Sequence, residues 1–175
     1  DVHWELCRNP IIQLARTLIH RVTSSGNVQR NHHSEEISSP FTTANCLNFL
    51  AQSAYVLNSK SCYKAANSIY EKFNSLWDSK HGIFLMKDSN KQSLNFKDIS
   101  SILAALLSFR LLSSDKNKKK TIDLQIAAFF EACFVRSGIF NGQSSPILQG
   151  ELLVHNKEIK PDPKWAPVFN KGFEY

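Results

Sequence analysis

Five segments of the chain repeat apolar residues at the spacing of an α-helix. In the first segment, Leu14, Leu18 and Val22 are four residues apart and share one helix face. Stretches rich in polar residues, Gly or Pro separate the segments, as expected for loops. The pattern predicts five helices, which cover Trp4–Val22, Thr42–Leu57, Ser61–Trp77, Asp98–Leu112 and Thr121–Val135.

The same spacing predicts the ends and the buried faces of these helices. Asn9 is predicted to cap the first helix, with Pro10 in the first turn, where a missing N–H costs no hydrogen bond. Asp98 is a candidate cap of the fourth helix. The residues predicted to face inward are Leu47, Leu50, Ala51, Ala54 and Tyr55 in the second helix, Tyr63, Ala66, Tyr70, Phe73 and Trp77 in the third, and Ile122, Ile126, Phe129, Phe130 and Cys133 in the fifth.

Two stretches of the chain lack a helical period. Residues 23–40 are rich in Ser, Asn and His, and they predict a long loop of the kind that is often functional or mobile. Residues 146–175 predict an extended or irregular tail, in which Leu152–Val154 could form a short strand. We therefore expect an all-α fold of helical hairpins over residues 1–145, followed by this C-terminal tail.

A glycine-centred repeat organises the predicted helices. Gly82 and Gly138 are each followed by Ile-Phe and lie 56 residues apart, and the same shift backwards from Gly82 reaches Gly26. Each glycine follows a predicted helix, where a residue in the left-handed conformation commonly closes the C-terminus. The repeating unit is then a helical hairpin, with one copy at residues 42–84 and the next at residues 98–140. The aromatic residues that recur in these copies are expected to share one buried core, namely Phe73, Trp77, Phe84, Phe129 and Phe140.

The first predicted helix has no hairpin partner in this repeat. Residues 4–26 match only the second helix of an earlier copy, and a hairpin repeat needs neighbours to bury its apolar face. We therefore expect the chain to start in mid-repeat, with another segment or polypeptide packing on the 4–22 helix face and on the tail. The tail contains apolar residues that should seek such a surface, namely Leu152, Leu153, Val154, Trp165, Val168, Phe169 and Phe173.

The segments that end the two hairpins carry a resemblance to a known superfamily. Ser75-Leu76-Trp77-Asp78-Ser79-Lys80-His81-Gly82-Ile83-Phe84 and Ala132-Cys133-Phe134-Val135-Arg136-Ser137-Gly138-Ile139-Phe140 resemble the hairpin-end loops of (α/α)6 toroid proteins, the six-hairpin glycosidase and epimerase-like superfamily. The resemblance covers about residues 42–140. It implies a closed barrel with more helices than the five predicted here, and it implies that Trp77, Asp78 and His81 rim a central funnel.

Carboxylates near these loops are the candidates for chemistry on sugars. Glycosidases use two carboxyl groups, one as the acid and one as the base or nucleophile. Asp78, Asp98 and Glu131 are the candidate carboxylates, His81 lies beside Asp78 in the sequence, and Trp77 and Trp165 are the candidate sugar-binding aromatics. Each carboxylate also has a structural interpretation, Asp78 as a turn residue, Asp98 as a helix cap and Glu131 as an ion-pair partner on a helix.

The charge of the chain changes this picture little. The formal net charge is +6 and the pI is about 9.2, which is compatible with an anionic partner. The excess is spread along the chain, except for Lys116, Lys118, Lys119 and Lys120. We predict a solvated loop for this run, with a docking patch for an acidic partner as the alternative. The aromatics are mostly Phe at helix-core spacing, so there is no strong signal for nucleic-acid binding.

Metal, cofactor and membrane functions receive little support. None of the four cysteines forms a CxxC pair. Cys46 and Cys133 are predicted to be buried free thiols, and the alternative is a bridge between Cys46 and Cys62 if their helices pack antiparallel. His32, His33, Glu35 and Glu36 lie in a polar loop without an apolar frame, so we expect no metal site. No motif predicts a cofactor. No apolar run could span a membrane and no signal peptide is visible, so we expect a soluble protein of unknown compartment.

The preferred interpretation of the sequence is a non-catalytic helical scaffold or protein-interaction domain within a larger protein or complex. The alternative is a fragment of a carbohydrate-active (α/α)-barrel enzyme of the glycoside hydrolase or epimerase type. The two hypotheses place Asp78, His81, Asp98 and Glu131 differently. An enzyme should gather these side chains around one concave pocket, whereas a scaffold should bury or scatter them.

Overall fold

Helices make up most of the structure, a computed structural model that describes residues 2–31, 36–84, 91–136, 151–155 and 158–161. The part described contains five α-helices, as the sequence predicts. A short π-helix, Glu131–Arg136, follows the fifth. The α-helices are α1 (Val2–Arg21), α2 (Pro40–Val56), α3 (Lys60–Asn74), α4 (Phe96–Leu112) and α5 (Lys116–Phe130).

The start of α1 differs from the prediction. The helix begins at Val2 and contains Pro10 in its interior, so Asn9 is not its cap. Proline has a helical φ, but it removes the bond to the carbonyl of Leu6, four residues earlier, and its ring crowds that carbonyl. Leu6 and Pro10 are both exposed, so water can solvate that carbonyl and the helix continues.

Side-chain caps fix the starts of the middle helices. Ser39 precedes α2, its Oγ accepts the Thr42 N–H at 3.2 Å, and Pro40 occupies the first turn. Ser59 caps α3 in the same way, accepting the Cys62 N–H at 3.3 Å. Only residues 57–59 connect α2 to α3, so the two helices form a hairpin. Asn58 in this connection has a left-handed backbone, with a φ of 48°.

The starts of α4 and α5 also lie earlier than predicted. Asp98 lies within the first turn of α4 and is not its cap, because the helix begins at Phe96. Asp115 caps α5 by accepting the N–H groups of Asn117 and Lys118 at 2.8 and 3.2 Å. The predicted solvated loop at the lysine run is therefore wrong, since these lysines form the first turns of α5.

The helices pack in two layers, with α2 and α4 in one layer and α1, α3 and α5 in the other. α2 packs most extensively on α4, while α1 packs on α2 and α3, and α4 packs on α3 and α5. Asn67 of α3 contacts Lys118 of α5 and, further along both helices, Asn74 contacts Gln125, so α3 and α5 are parallel. Because α2 and α4 each run back along their own hairpin mate, they are parallel to each other as well.

Two of the repeat glycines have the predicted left-handed backbone. The φ angles of Gly26 and Gly82 are +79° and +69°. They lie in turns beyond the helix ends at Arg21 and Asn74, so their predicted role as helix caps is wrong. Gly138 lies outside the described residues.

Both glycines contact the backbone of a helix in the next hairpin. A Cβ atom on Gly26 would lie 2.1 Å from the Ser68 carbonyl oxygen and 3.0 Å from the Lys72 Cβ. A Cβ atom on Gly82 would lie 2.9 Å from the Ala128 oxygen and 3.3 Å from its Cβ. Lys72 and Ala128 are related by the same 56-residue shift as the two glycines. Both glycines therefore contact corresponding Cβ positions of α3 and α5, while the carbonyl that each one approaches, that of Ser68 or of Ala128, differs by one helical turn.

Aromatic rings from both hairpins share the core. The Phe84 ring centroid lies 5.8 Å from that of Phe73, 5.3 Å from that of Phe129 and 4.8 Å from that of Trp77. The three Phe side chains are buried, and Trp77 is half-buried. This confirms the predicted aromatic core for these four residues, whereas Phe140 lies outside the described residues.

Several side chains predicted to face inward are exposed. The buried faces of α2, α3 and α5 are confirmed at most positions, including Leu47, Ala66 and Ile122. The prediction is wrong for Tyr55, which is 78% exposed, and for Phe130, which is 41% exposed. Tyr63 is also exposed. Each wrong residue lies at the border of its apolar face, where spacing alone cannot define the width of the buried arc.

Two small antiparallel sheets accompany the helices. β1 (Trp77–Asp78) pairs with β2 (Ile83–Phe84). β4 (Glu151–His155) lies between β3 (Lys91–Asn95) and β5 (Glu158–Pro161). The short strand predicted at residues 152–154 is confirmed, while the all-α prediction omitted both sheets. In the 23–40 loop, isolated bridges join Val22 to Val28 and Gln29 to Ile37.

Candidate functional site

The hairpin between β1 and β2 carries the first candidate site. α3 was predicted to reach Trp77, but it ends at Asn74, and the Ser75 Oγ donates to the Lys72 carbonyl at 2.7 Å. Asp78 then organises the turn, because its Oδ1 accepts the N–H groups of Lys80 and His81 at 3.0 and 3.4 Å. Gly82 completes the turn in a left-handed conformation.

Asp78 and His81 form a pair inside this turn. The Asp78 Oδ2 lies 2.9 Å from the His81 Nδ1, and the two side chains are 13% and 14% exposed. Burial raises the pKa of Asp78. This effect is outweighed by groups that lower the pKa, which are the His81 ring, the backbone N–H groups of Lys80 and His81, and the charge of His81. The net shift is downward, so Asp78 is an ionised carboxylate that holds the turn together.

The other predicted site residues are distributed over different elements. Asp98 is half-buried in the first turn of α4, and Glu131 is exposed where α5 meets the π-helix. Trp165 lies outside the described residues. The Asp78–His81 pair supplies one carboxylate and one imidazole, whereas a glycosidase site needs a second carboxylate at a fixed separation.

One lysine of the predicted basic run has a structural role. The Lys118 Nζ donates to the Asn67 Oδ1 at 2.8 Å and to the Glu71 Oε1 at 2.6 Å, and it lies 5.6 Å from the centre of the Tyr70 ring. The Tyr70 hydroxyl in turn donates to the Gln125 Oε1 at 3.2 Å. Burial, with a smaller contribution from the charge of Glu71, raises the pKa of Tyr70 to about 12. These contacts join α3 to α5.

The described part of the chain bears on the predictions about metal sites, disulfides and membrane spans. There, no group of three or more His, Cys, Asp or Glu side chains could hold a metal ion. The loop cluster itself, His32, His33 and Glu35, lies outside that part, while Glu36 pairs with Arg30 at 3.1 Å. Cys46 and Cys62 are buried free thiols and form no bridge. No described helix is both long enough and apolar enough to cross a bilayer.

A second candidate site, which the apolar spacing did not predict, is the exposed side of α2 and α4. We call it the α2–α4 face, and it consists of Asn45, Asn48, Gln52, Tyr55 and Val56 from α2 with Ser101, Ala104, Leu107, Ser108 and Leu111 from α4. Tyr55 is 78% exposed and Leu111 is 74% exposed. The two residues are related by the 56-residue shift, so they lie near the same end of the parallel helices.

A polar bridge connects the two helices on the α2–α4 face. The Ser108 Oγ donates to the Asn48 Oδ1 at 2.6 Å, and the Gln52 Nε2 donates to the same oxygen at 2.8 Å. Gln52 also approaches the Ser108 Oγ at 3.5 Å. The bridge holds the two exposed stripes in a fixed relation to each other.

The α2–α4 face carries no charged residue. α2 contains none along its whole length, and between Ser100 and Leu112 the one charged residue is Arg110. Arg110 is directed away from the face, since its guanidinium pairs with the Asp123 carboxylate of α5. The stripe mixes Asn, Gln and Ser with Tyr, Val and Leu, so its apolar residues extend the apolar face in the sequence and periodicity could not separate the two.

Comparison with known proteins found no matching family model, no similar curated protein and no similar solved structure.

Proposed function

We propose that this protein is a non-catalytic helical scaffold that binds a protein partner through the α2–α4 face. The observation that carries the proposal is the exposed, charge-free stripe with Tyr55 and Leu111 at corresponding positions. Charged residues make up 21% of the chain, so their absence from one exposed side of two helices is selective. Interface centres are depleted in charged residues and enriched in Tyr.

The composition of the face defines the partner that fits it. A surface of Tyr, Leu, Val, Asn, Gln and Ser matches another uncharged helical surface, because no charge would lose its hydration on docking. We propose a second copy of this chain as that partner. Two copies of the face would meet without repulsion between like charges. Such repulsion is a common way in which proteins avoid self-association. A two-fold interface places the same stripe on both sides.

The alternative function is that of a carbohydrate-active (α/α) barrel. The resemblance of the Trp77–Phe84 segment to toroid hairpin loops and the Asp78–His81 pair favour it. In a toroid the inner helices line the funnel, and a glycosidase needs carboxylates there. The two-layer packing would make α2 and α4 the inner helices, yet their exposed stripe has Asn, Gln and Ser in place of carboxylates. This composition favours the scaffold over the enzyme.

The test is the molar mass of the purified chain by light scattering over a range of concentrations. We expect the wild-type mass to rise towards that of a dimer and the double variant Tyr55→Glu/Leu111→Glu to stay monomeric, because each Glu would have to be desolvated at the interface. The control is Leu124→Glu/Ala127→Glu, which places two charges on exposed positions of α5. It should associate like the wild type. A wild-type chain that remains monomeric at every concentration would contradict the proposed partner.

A further inference from the structure

A groove between α1 and the first turn of α3 has no role in the proposed scaffold function. Its volume is about 260 Å³. Ile12, Ala15 and Ile19 of α1 form its apolar wall, with Cys62 of α3 opposite, and Arg8 and Arg16 line it from two turns of α1. These α1 positions recur at helical spacing, so they share one face of the helix.

The repeat explains why this groove is open. Ser59 and Asp115 cap α3 and α5, and they are related by the 56-residue shift. The same shift relates Cys62 to Lys118 and Ala15 to Glu71. Between α3 and α5, the long Lys118 side chain reaches Glu71 and fills the space between the helices. Between α1 and α3 the corresponding side chains are a thiol and a methyl group, which leave that space empty.

The charges at the groove specify the ligand. Arg8 and Arg16 are exposed, and no carboxylate among the described residues forms an ion pair with either of them. Their Cα atoms are separated by about 12 Å along the helix axis, with Ile12 and Ala15 between them. A ligand in the groove would therefore meet an apolar wall and a guanidinium group, which binds carboxylates by two parallel hydrogen bonds.

We propose that the groove binds a small carboxylate that carries a short aliphatic chain. The volume lies just below the roughly 300–1,000 Å³ of drug-sized ligand sites, which suits a molecule of this size. The chain would lie on Ile12, Ala15 and Ile19, and the carboxylate would pair with Arg8 or Arg16. This binding does not depend on the α2–α4 face, so failure of one proposal leaves the other standing.

Hexanoate is the probe, titrated into isotopically labelled protein while backbone amide NMR shifts are followed. We expect saturable shifts centred on Ile12, Ala15 and Cys62, with a dissociation constant on the order of a millimolar for so small a ligand. The double variant Arg8→Gln/Arg16→Gln should bind roughly tenfold or more weakly, the loss expected for one charge-assisted hydrogen bond. Hexylammonium should not bind at this position.

The matched control uses the corresponding lysines of α3. Lys64→Gln/Lys72→Gln removes the same number of charges at the positions that the 56-residue shift assigns to Arg8 and Arg16. It should bind hexanoate like the wild type. The proposal is overturned if hexanoate gives no saturable shifts, if the arginine variant binds like the wild type, or if hexylammonium binds equally well.

Discussion

Tyr55 and Leu111 occupy corresponding positions on two parallel helices, and both side chains are more than two-thirds exposed. They lie at the end of a face that a polar bridge from Asn48 to Ser108 holds together. Scattered apolar side chains are normal on a protein surface, but here they lie on a stripe from which charge is excluded. They are 56 residues apart in the sequence and lie near the same end of the parallel helices α2 and α4.

The first prediction concerns the repeat glycines. Gly82→Ala should destabilise the protein by roughly 2–4 kcal/mol, because alanine is strained at a φ of +69° and its Cβ would meet the Ala128 carbonyl oxygen. Gly26→Ala should cost at least as much, since its Cβ would approach the Ser68 oxygen even more closely. Chemical denaturation measures both. Ala104→Ser, on the exposed side of α4, is a control that should change stability little. Two glycine variants as stable as the wild type would rule out the shared contact.

The second prediction concerns the aromatic core. Phe129→Ala should destabilise the protein by roughly 3–5 kcal/mol, because Phe129 is fully buried against Phe84. The neighbouring Phe130→Ala should cost much less, since Phe130 is 41% exposed. The two free energies of unfolding, compared in the same buffer, check the assignment of the inward face of α5. Equal losses would show that the face has been assigned wrongly.

The third prediction concerns the pH dependence of the Asp78–His81 pair. A carboxyl group whose pKa is lowered by folding stabilises the protein above its ordinary pKa, and this stabilisation is lost as the pH falls through the lowered value. Asp78→Asn should therefore cost roughly 1–3 kcal/mol near neutral pH, and the difference from the wild type should shrink below about pH 4. Urea titrations at several pH values measure this difference.

A double-mutant cycle separates the pair from the rest of the turn. If the Asp78–His81 contact carries part of the stabilisation, the losses caused by Asp78→Asn and His81→Asn should not add in the double variant. Additive losses would assign the stabilising role to the backbone hydrogen bonds alone. A difference between Asp78→Asn and the wild type that is constant with pH would show that the ionised carboxylate does not stabilise the turn.

Local signals in the sequence were enough to predict the helices and part of the core. Apolar spacing located all five helices, and the Gly-Ile-Phe motif predicted the left-handed backbone of Gly82 and the burial of Phe84. The helix starts were harder, because Asp115 competes with Thr121 as a beginning for α5 and a capping side chain decides between them. Pro10 was misleading because a solvated helix can accommodate a proline.

The candidate site could be predicted less well than the fold. The Asp78–His81 contact follows from a local turn, and the sequence analysis placed both residues in the same loop. The α2–α4 face depends on the packing of two helices that are distant in sequence. From its spacing alone Tyr55 looks like a core residue, and only the position of α4 beside α2 shows that it is exposed. The groove at Arg8 and Arg16 could not be predicted from the sequence. It lies between α1 and α3, and it is open because no long side chain fills it as Lys118 fills the corresponding space between α3 and α5.

The most direct measurement of the scaffold proposal is photo-crosslinking of the purified chain from within the α2–α4 face. A benzophenone amino acid replaces Leu111, and the same amino acid replaces Leu124, an exposed leucine of α5, as the control. We predict a crosslinked dimer from position 111, with the crosslink on α2 or α4 of the second copy, and none from position 124. Dimers of equal yield from both positions, or no dimer from position 111, would contradict the account.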